Sequence, residues 1–181
     1  MIVAVTGQAR SGTSAVAAAL HHMRCPVAQA MLPPVPLSGW KLDWEDAHLA
    51  LHFARGNQPG VSWFESYLSD RRREAKGIYA ADTFAIKSPF LALVPSAVEL
   101  GAKVIGEEVH WIVLRRNQTA IDASMALCPQ LSLDDNREIR EALRRPLLSR
   151  ADVVDYDLLL ANPQSVVADL AARLSLNPLD T

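Results

Sequence analysis

The chain begins with Ile2-Val3-Ala4-Val5-Thr6, which runs straight into Gly7-Gln8-Ala9-Arg10-Ser11-Gly12-Thr13-Ser14. An alanine-rich stretch from Ala15 to Met23 follows. These residue types at this spacing could hold phosphate. Gly7 and Gly12 match the phosphate-cradling pattern G-x-x-x-x-G-K-[ST], with Thr13 in the lysine position and Ser14 in the Ser/Thr position. The positive charge stands inside the loop instead, at Arg10. Backbone N–H groups of such a loop form an anion nest, and the first turn of the following helix adds its N–H groups and the positive end of its dipole. A guanidinium at Arg10 can add a bidentate fork to phosphate oxygens.

A nucleotide kinase or hydrolase of this kind uses the loop lysine on the transferred phosphoryl group, and an acidic residue ending a strand helps to hold Mg²⁺. The best later strand, His110-Trp111-Ile112-Val113-Leu114, ends in Arg115-Arg116 rather than Asp. The residues are therefore expected to hold phosphates by cations and amides, with no metal.

These groups need a scaffold that brings them to one edge. Strands alternate with helices along the chain, which predicts an α/β fold with a central parallel sheet. The expected strands are Ile2–Thr6, a short Pro26–Ala30, Thr83–Lys87, His110–Leu114 and Val153–Tyr156. The expected helices are Gly12–Met23, Trp44–Ala54, Ser62–Lys76, Pro95–Leu100 with Gly101 as its C-terminal cap, and Thr119–Leu127 opened by a Thr119/Asp122 capping box. An amphipathic stretch, Asp134–Arg150, is stopped or kinked by Pro146. A last helix starts at Asn162-Pro163, with Asn as cap and Pro in the first turn. Met31–Gly39 carries Pro33, Pro34 and Pro36 and reads as an irregular loop, and Gly56–Gly60 as a break. In such sheets ligands bind beyond the carboxyl ends of the strands. Four polar clusters fall there: Gly7–Ser14, Lys87-Ser88, Arg115–Ser124 and Asp155-Tyr156-Asp157.

With 181 residues, half of them hydrophobic and 21% charged, the chain reads as one ordinary globular domain. A net charge of −2 does not favour nucleic acid as a partner. Cys25 and Cys128 lack metal-site spacing and read as buried thiols. The first apolar run is too short for a signal peptide or a membrane span, so the cytoplasm is the expected location.

Three segments, in order, resemble the sulfotransferases that use 3′-phosphoadenosine 5′-phosphosulfate (PAPS). Thr6–Ser14 is similar to that family's 5′-phosphosulfate loop, in which Lys or Arg precedes Ser-Gly-Thr. Arg116 and Ser124 have the spacing of its 3′-phosphate motif, an Arg at a strand end and a Ser eight residues later. Val154-Asp155-Tyr156-Asp157-Leu158-Leu159 with Asn162-Pro163 resembles its late strand and turn into a helix. The resemblance implies a three-layer α/β/α sandwich like that of the P-loop nucleoside triphosphate hydrolases. It also implies transfer of a sulfuryl group from PAPS to a hydroxyl or amine of a small-molecule or glycan acceptor. Gly7, Arg10, Ser11, Gly12, Thr13 and Ser14 would hold the 5′-phosphate end, with Arg10 stabilising the leaving phosphate. Arg116 and Ser124 would hold the 3′-phosphate.

The chain departs from the family in two ways. The stretch Ile86-Lys87-Ser88-Pro89 matches a Lys-Thr pair that a histidine follows in the cytosolic branch, and here no histidine follows. Lys87 could still assist the leaving group. Glu65, in Trp63-Phe64-Glu65 after Asn57-Gln58-Pro59-Gly60, resembles the glutamate of other branches and is the leading candidate for general base. Glu45, His48 and His52 are its rivals. The chain is also short for the family. The acceptor side is expected from a helical and loop insertion around residues 31–77, where Trp40, Trp44 and Trp63 could line a pocket. The Arg71-Arg72-Arg73 run reads as a solvated helix end. His21 and His22 end the first helix, and His110 stands at the wrong end of its strand for the crevice. The rival functions are a P-loop nucleotide kinase or hydrolase, and a non-catalytic nucleotide-binding relative.

Overall fold

The computed structural model describes residues 1–27, 31–32, 43–46, 49, 52–53, 58–127, 133–146 and 148–176. Four strands form one parallel sheet in the order β4-β1-β5-β6: β1 (Ile2–Gly7), β4 (Phe84–Lys87), β5 (Val109–Arg115) and β6 (Asp152–Asp155). Every residue of β1 and β4 is buried. Both strands are mostly apolar and buried because helices cover both faces of the sheet.

One face carries α2 (Val61–Tyr79), α3 (Pro95–Val104) and α5 (Leu133–Ala142) over Ile2, Ala4, Ile86, Trp111 and Val113. The other carries α1 (Thr13–His22), α6 (Tyr156–Ala161) and α7 (Pro163–Arg173) over Val3, Val5, Ile112, Leu114 and Val154. This is a three-layer α/β/α sandwich. Helix α1 buries Thr13, Val16, Ala17 and Leu20, the spacing of one helical face. Helix α4 (Gln118–Leu127) sets Ile121 and Met125 against Ala9 of the loop.

Several expected elements change. Asp43–Asp46 is a strand, β3, paired antiparallel with β2 (Met31–Leu32). Trp44 and Glu45 therefore belong to a strand rather than a helix. Helical backbone is described only at Leu49, His52 and Phe53 of the expected 44–54 helix. Strand pairing with a segment some ten residues away overrides the local helical period. Gly101 is not a cap, because α3 runs on to Val104. Its missing side chain lets α2 approach: a Cβ there would stand 2.7 Å from the Phe64 Cβ and 3.0 Å from the Glu65 nitrogen.

The cap of α4 is Asn117, whose Oδ1 accepts the Thr119 N–H at 2.9 Å, while Asp122 accepts from Gln118. The 134–150 stretch splits into α5 and a 3₁₀ turn, Leu148–Arg150, on either side of Pro146. The last strand ends at Asp155, whose Oδ1 accepts the N–H groups of Asp157 and Leu158 and so opens α6 at Tyr156. Asn162 caps α7, with Pro163 in its first turn, as the sequence predicts.

The Arg71–Arg73 run is not simply solvated. Arg71 forms a largely buried pair with Glu74 at 2.6 Å, and Arg72 reaches Glu107 at 3.0 Å and the Ile105 carbonyl at 2.9 Å. Trp63 is partly buried against the core, stacked on Tyr67 with centroids 4.9 Å apart and beside His52 at 4.4 Å. Met31–Leu32 of the expected irregular loop is strand β2, while the expected strand residues 28–30, residues 33–39 of that loop, Trp40, His48, the Gly56-Asn57 break and Cys128 lie outside the described residues. No helix among the described residues is long and apolar enough to cross a membrane.

Candidate functional site

Parallel strands put their carboxyl ends on one edge, and the predicted polar residues meet there. Val5 of β1 stands level with Lys87 of β4, and Gly7 level with Leu114 of β5. Gly7 admits no side chain: a Cβ would stand 2.7 Å from the Ser11 Oγ and 2.9 Å from the Leu114 carbonyl oxygen. The loop then folds over itself, with the Ser11 N–H donating to the Gln8 carbonyl at 3.1 Å. Two successive departures from ordinary backbone follow, Arg10 at φ 66° and Gly12 at φ 99°. The left-handed region costs a non-glycine residue energy, so it persists where surrounding contacts hold it.

Those contacts come from the predicted partners. Arg10 Nε donates to Ser124 Oγ at 2.9 Å, across 114 positions of sequence. Arg116 Nη1 donates to the Arg10 carbonyl at 2.9 Å. The Arg116 guanidinium carbon lies 4.9 Å from the centroid of the Tyr156 ring, within cation–π range. Tyr156 also lies directly against Gly12, where a Cβ would fall 2.0 Å from its Cδ2. The structure thus joins Arg10, Gly12, Arg116, Ser124 and Tyr156 in one cluster.

Asn136 belongs to this site although the motif spacing gives no sign of it. Its Oδ1 accepts the Ala9 N–H at 2.9 Å, and its side chain is only 4% exposed. A polar residue on the face of α5 that buries Ile139 is the one local signal that could have drawn attention to it. Lys87 is 3% exposed at the tip of β4, not reaching into solvent. Next to it the Ser88 N–H donates to the Val5 carbonyl, and Thr6 Oγ1 donates to the Pro89 carbonyl at 3.1 Å. The crevice wall on the β4 side is therefore laced to β1.

Two donors at the site are unspent. Ser11 Oγ and Arg116 Nε are buried and have no hydrogen-bond partner among the described residues. A buried donor left unmade costs stability, so both suit a ligand that accepts hydrogen bonds. Thr13 and Ser14 open α1, so the positive end of its dipole meets the loop. Together with a loop whose glycines leave room for close approach, these groups fit a phosphate-bearing ligand.

Glu65 is not brought to this cluster. It is exposed on α2, its backbone against Gly101 in the second turn of α3, and no contact among the described residues joins it to the loop. Cys25 is buried at the end of the α1 connection, and burial pushes its thiol up to about 12.

His110 stands at the opposite end of β5, as expected, and pairs through Nε2 with Asp152 Oδ2 at 2.8 Å. Arg173 donates to the other carboxylate oxygen at 3.0 Å. Burial alone would raise the Asp152 carboxyl, but the hydrogen bonds and charges of His110 and Arg173 hold it below the usual carboxylate range. A carboxyl depressed in the folded state adds stability above its unfolded value, and that stability is lost as the pH falls through the folded value. Urea unfolding of wild type and Asp152→Asn should differ above about pH 5, and the difference should shrink progressively as the pH falls from there through the lowered folded value of Asp152. His21 does not confuse this comparison. Its burial and its neighbour His22 hold its imidazole low, which destabilises both proteins alike as the pH falls below about 6.5. A difference that stays constant to pH 3 would refute the assignment.

No protein-family model and no curated protein matches the chain. Solved structures do. The chain is similar to a sulfotransferase from Mycobacterium tuberculosis, with a TM-score of 0.59 and 16% identity over 98% of this chain and 68% of that one. It is similar to a sugar kinase from a Janibacter species, with a TM-score of 0.57 and 15% identity over 98% of this chain and 95% of that one. It is similar as well to a gluconokinase from Sinorhizobium meliloti, with a TM-score of 0.51 and 14% identity over 96% and 94% of the two chains. At these identities the likeness is one of fold: these structures share the arrangement of a central parallel sheet between two layers of helices.

Proposed function

We propose that this protein binds PAPS and its product, adenosine 3′,5′-bisphosphate, and transfers the sulfuryl group to a hydroxyl or amine of a small-molecule or glycan acceptor. One observation carries the reading: Arg10, Arg116 and Ser124 meet beside a phosphate loop whose lysine position is held by Thr13. A ligand with two phosphate groups set apart on one nucleoside suits two guanidinium groups on different elements. When bound, such a donor supplies a sulfuryl group and leaves charge on a phosphate oxygen. The amides of Gly7–Ser14, Ser11 Oγ and the Thr13 and Ser14 hydroxyls would hold the 5′-phosphate end. Arg116 and Ser124 would hold the 3′-phosphate. Arg10 and the buried Lys87 would place positive charge where negative charge develops, in a site partly closed to water.

A kinase reading has one observation in its favour. The chain covers 95% and 94% of the two kinase structures but 68% of the sulfotransferase. Against it, β5 ends in Arg115 with Arg116 after it, and no acidic residue stands at that tip to help hold Mg²⁺. A relative that binds the nucleotide without turning it over shares the phosphate subsites and differs only in lacking transfer.

Thermal stabilisation separates the kinase from the two readings that share the bisphosphate subsites. Adenosine 3′,5′-bisphosphate should raise the melting temperature more than AMP or ATP with Mg²⁺ at equal concentration. Arg116→Ala should weaken the bisphosphate about tenfold to a hundredfold and abolish that preference. Equal or stronger stabilisation by ATP with Mg²⁺ would replace this reading with the kinase.

A further inference from the structure

Tyr156 takes no part in the phosphate motifs, yet it is the residue against which both halves of the site rest. Its ring is 8% exposed. Beside it, Gly12 comes so close that a Cβ would fall 2.0 Å from Cδ2 and 2.4 Å from Cε2. The Arg116 guanidinium carbon lies 4.9 Å from the ring centroid. The ring cannot drift, because Asp155 caps the turn that carries it and Val154 and Leu159 are buried on either side. Arg116 has one hydrogen bond to the loop, to the Arg10 carbonyl, while its Nε has no partner among the described residues. A guanidinium on a flexible stem, with one hydrogen bond and an aromatic surface beneath it, keeps its plane through that surface.

We infer that Tyr156 is a positioning residue that orients Arg116 toward the second phosphate and fixes its distance from the Gly12 turn, without itself touching the ligand. The inference rests on the two-phosphate reading above. The ring acts through the electron density of its face, so a variant of the same shape with a weaker quadrupole should be impaired.

The test replaces Tyr156 with phenylalanine and then with mono-, di- and trifluorophenylalanine, which keep the ring's shape and should keep the fold. Binding of adenosine 3′,5′-bisphosphate and of inorganic pyrophosphate is measured for each. Phenylalanine should bind the bisphosphate within about twofold of wild type, and the fluorinated series should weaken it stepwise by about three- to tenfold in total. Pyrophosphate, held by the loop alone, should bind equally across the series. A flat bisphosphate series, or an equal loss for pyrophosphate, would overturn the inference.

A second readout needs no nucleotide. The Arg116 Nε–Hε resonance, assigned by its loss in Arg116→Lys, should be displaced upfield by the ring in wild type and in Tyr156→Phe, and should relax in Tyr156→Leu. A displacement that survives in Tyr156→Leu refutes the placement of Arg116 on the ring. If wild type binds the bisphosphate no better than pyrophosphate, the sulfotransferase reading fails, and the resonance still decides the role of Tyr156.

Discussion

Gly12→Ala should cost about 2–5 kcal/mol of folding free energy and abolish binding of any phosphate at the loop. Two independent penalties add. The backbone at Gly12 is left-handed, at φ 99° and ψ 14°, a conformation that costs a residue with a Cβ about 1–2 kcal/mol. The new methyl would also fall 2.0 Å from the Tyr156 ring. That ring is buried and its helical turn is capped by Asp155, so the clash must be relieved by moving the loop or the start of α6, at about 1–3 kcal/mol. Gly77→Ala is the control. Gly77 lies inside α2 with nothing within 4 Å of an added Cβ, and alanine there should stabilise by about 0.5–1 kcal/mol. Both are read from urea midpoints at constant slope. A Gly12→Ala midpoint equal to wild type would mean that Tyr156 is not seated under the loop.

Asn136→Leu should destabilise by about 1–3 kcal/mol, the cost of leaving a buried donor unmet. The residues are of similar size, so the change leaves little cavity. What it removes is the acceptor of the Ala9 N–H, which Asn136 holds at 2.9 Å in a buried setting. Ala9 is pinned on its other side by Ile121 and Met125, so the loop cannot turn that N–H to solvent without giving up this contact. Hydrogen exchange at the Ala9 amide reads the effect directly: protection should fall by more than the global loss of stability accounts for. Unchanged protection at Ala9 in the variant would show that α5 does not restrain the loop.

The sequence made one kind of information plain and hid another. Strand β1, the glycine loop and α1 are contiguous, and their signals are local: an apolar run, two glycines five residues apart and a helical burial period. Arg116 and Ser124 are legible through the resemblance, whose motif sets an Arg at a strand end and a Ser eight residues later. The Asn162-Pro163 start of α7 is legible for a local reason, a side-chain cap followed by a residue fit for the first turn.

The contacts that assemble the site are not local. Nothing near Asn136 announces a partner 127 residues earlier, and nothing near Tyr156 announces Gly12. Gly101 shows how a local rule can misread such a residue. A glycine near a helix end suggests a cap, yet here it serves a neighbouring helix that crosses too closely for any side chain. Trp44 to Asp46 reads as the start of the expected 44–54 helix and becomes a strand only through Met31–Leu32. Glu65 stands apart from both: a motif fragment suggests chemistry, and the helix that bears it leaves the side chain exposed.

The position of β1 in the sheet also governs how the protein is born. Of the four strands of the sheet it is made first, six buried residues without a charge, and its two neighbours begin only at Phe84 and Val109. At about 5–20 residues per second, its hydrogen-bonding edges wait many seconds for partners. Through that interval the nascent chain exposes the kind of uncharged, strand-prone segment that chaperones shield and that aggregates when unshielded. The phosphate loop inherits the same delay. Its shape depends on Arg116, Asn136 and Tyr156, so the loop becomes competent to bind only after residues more than a hundred positions later have emerged.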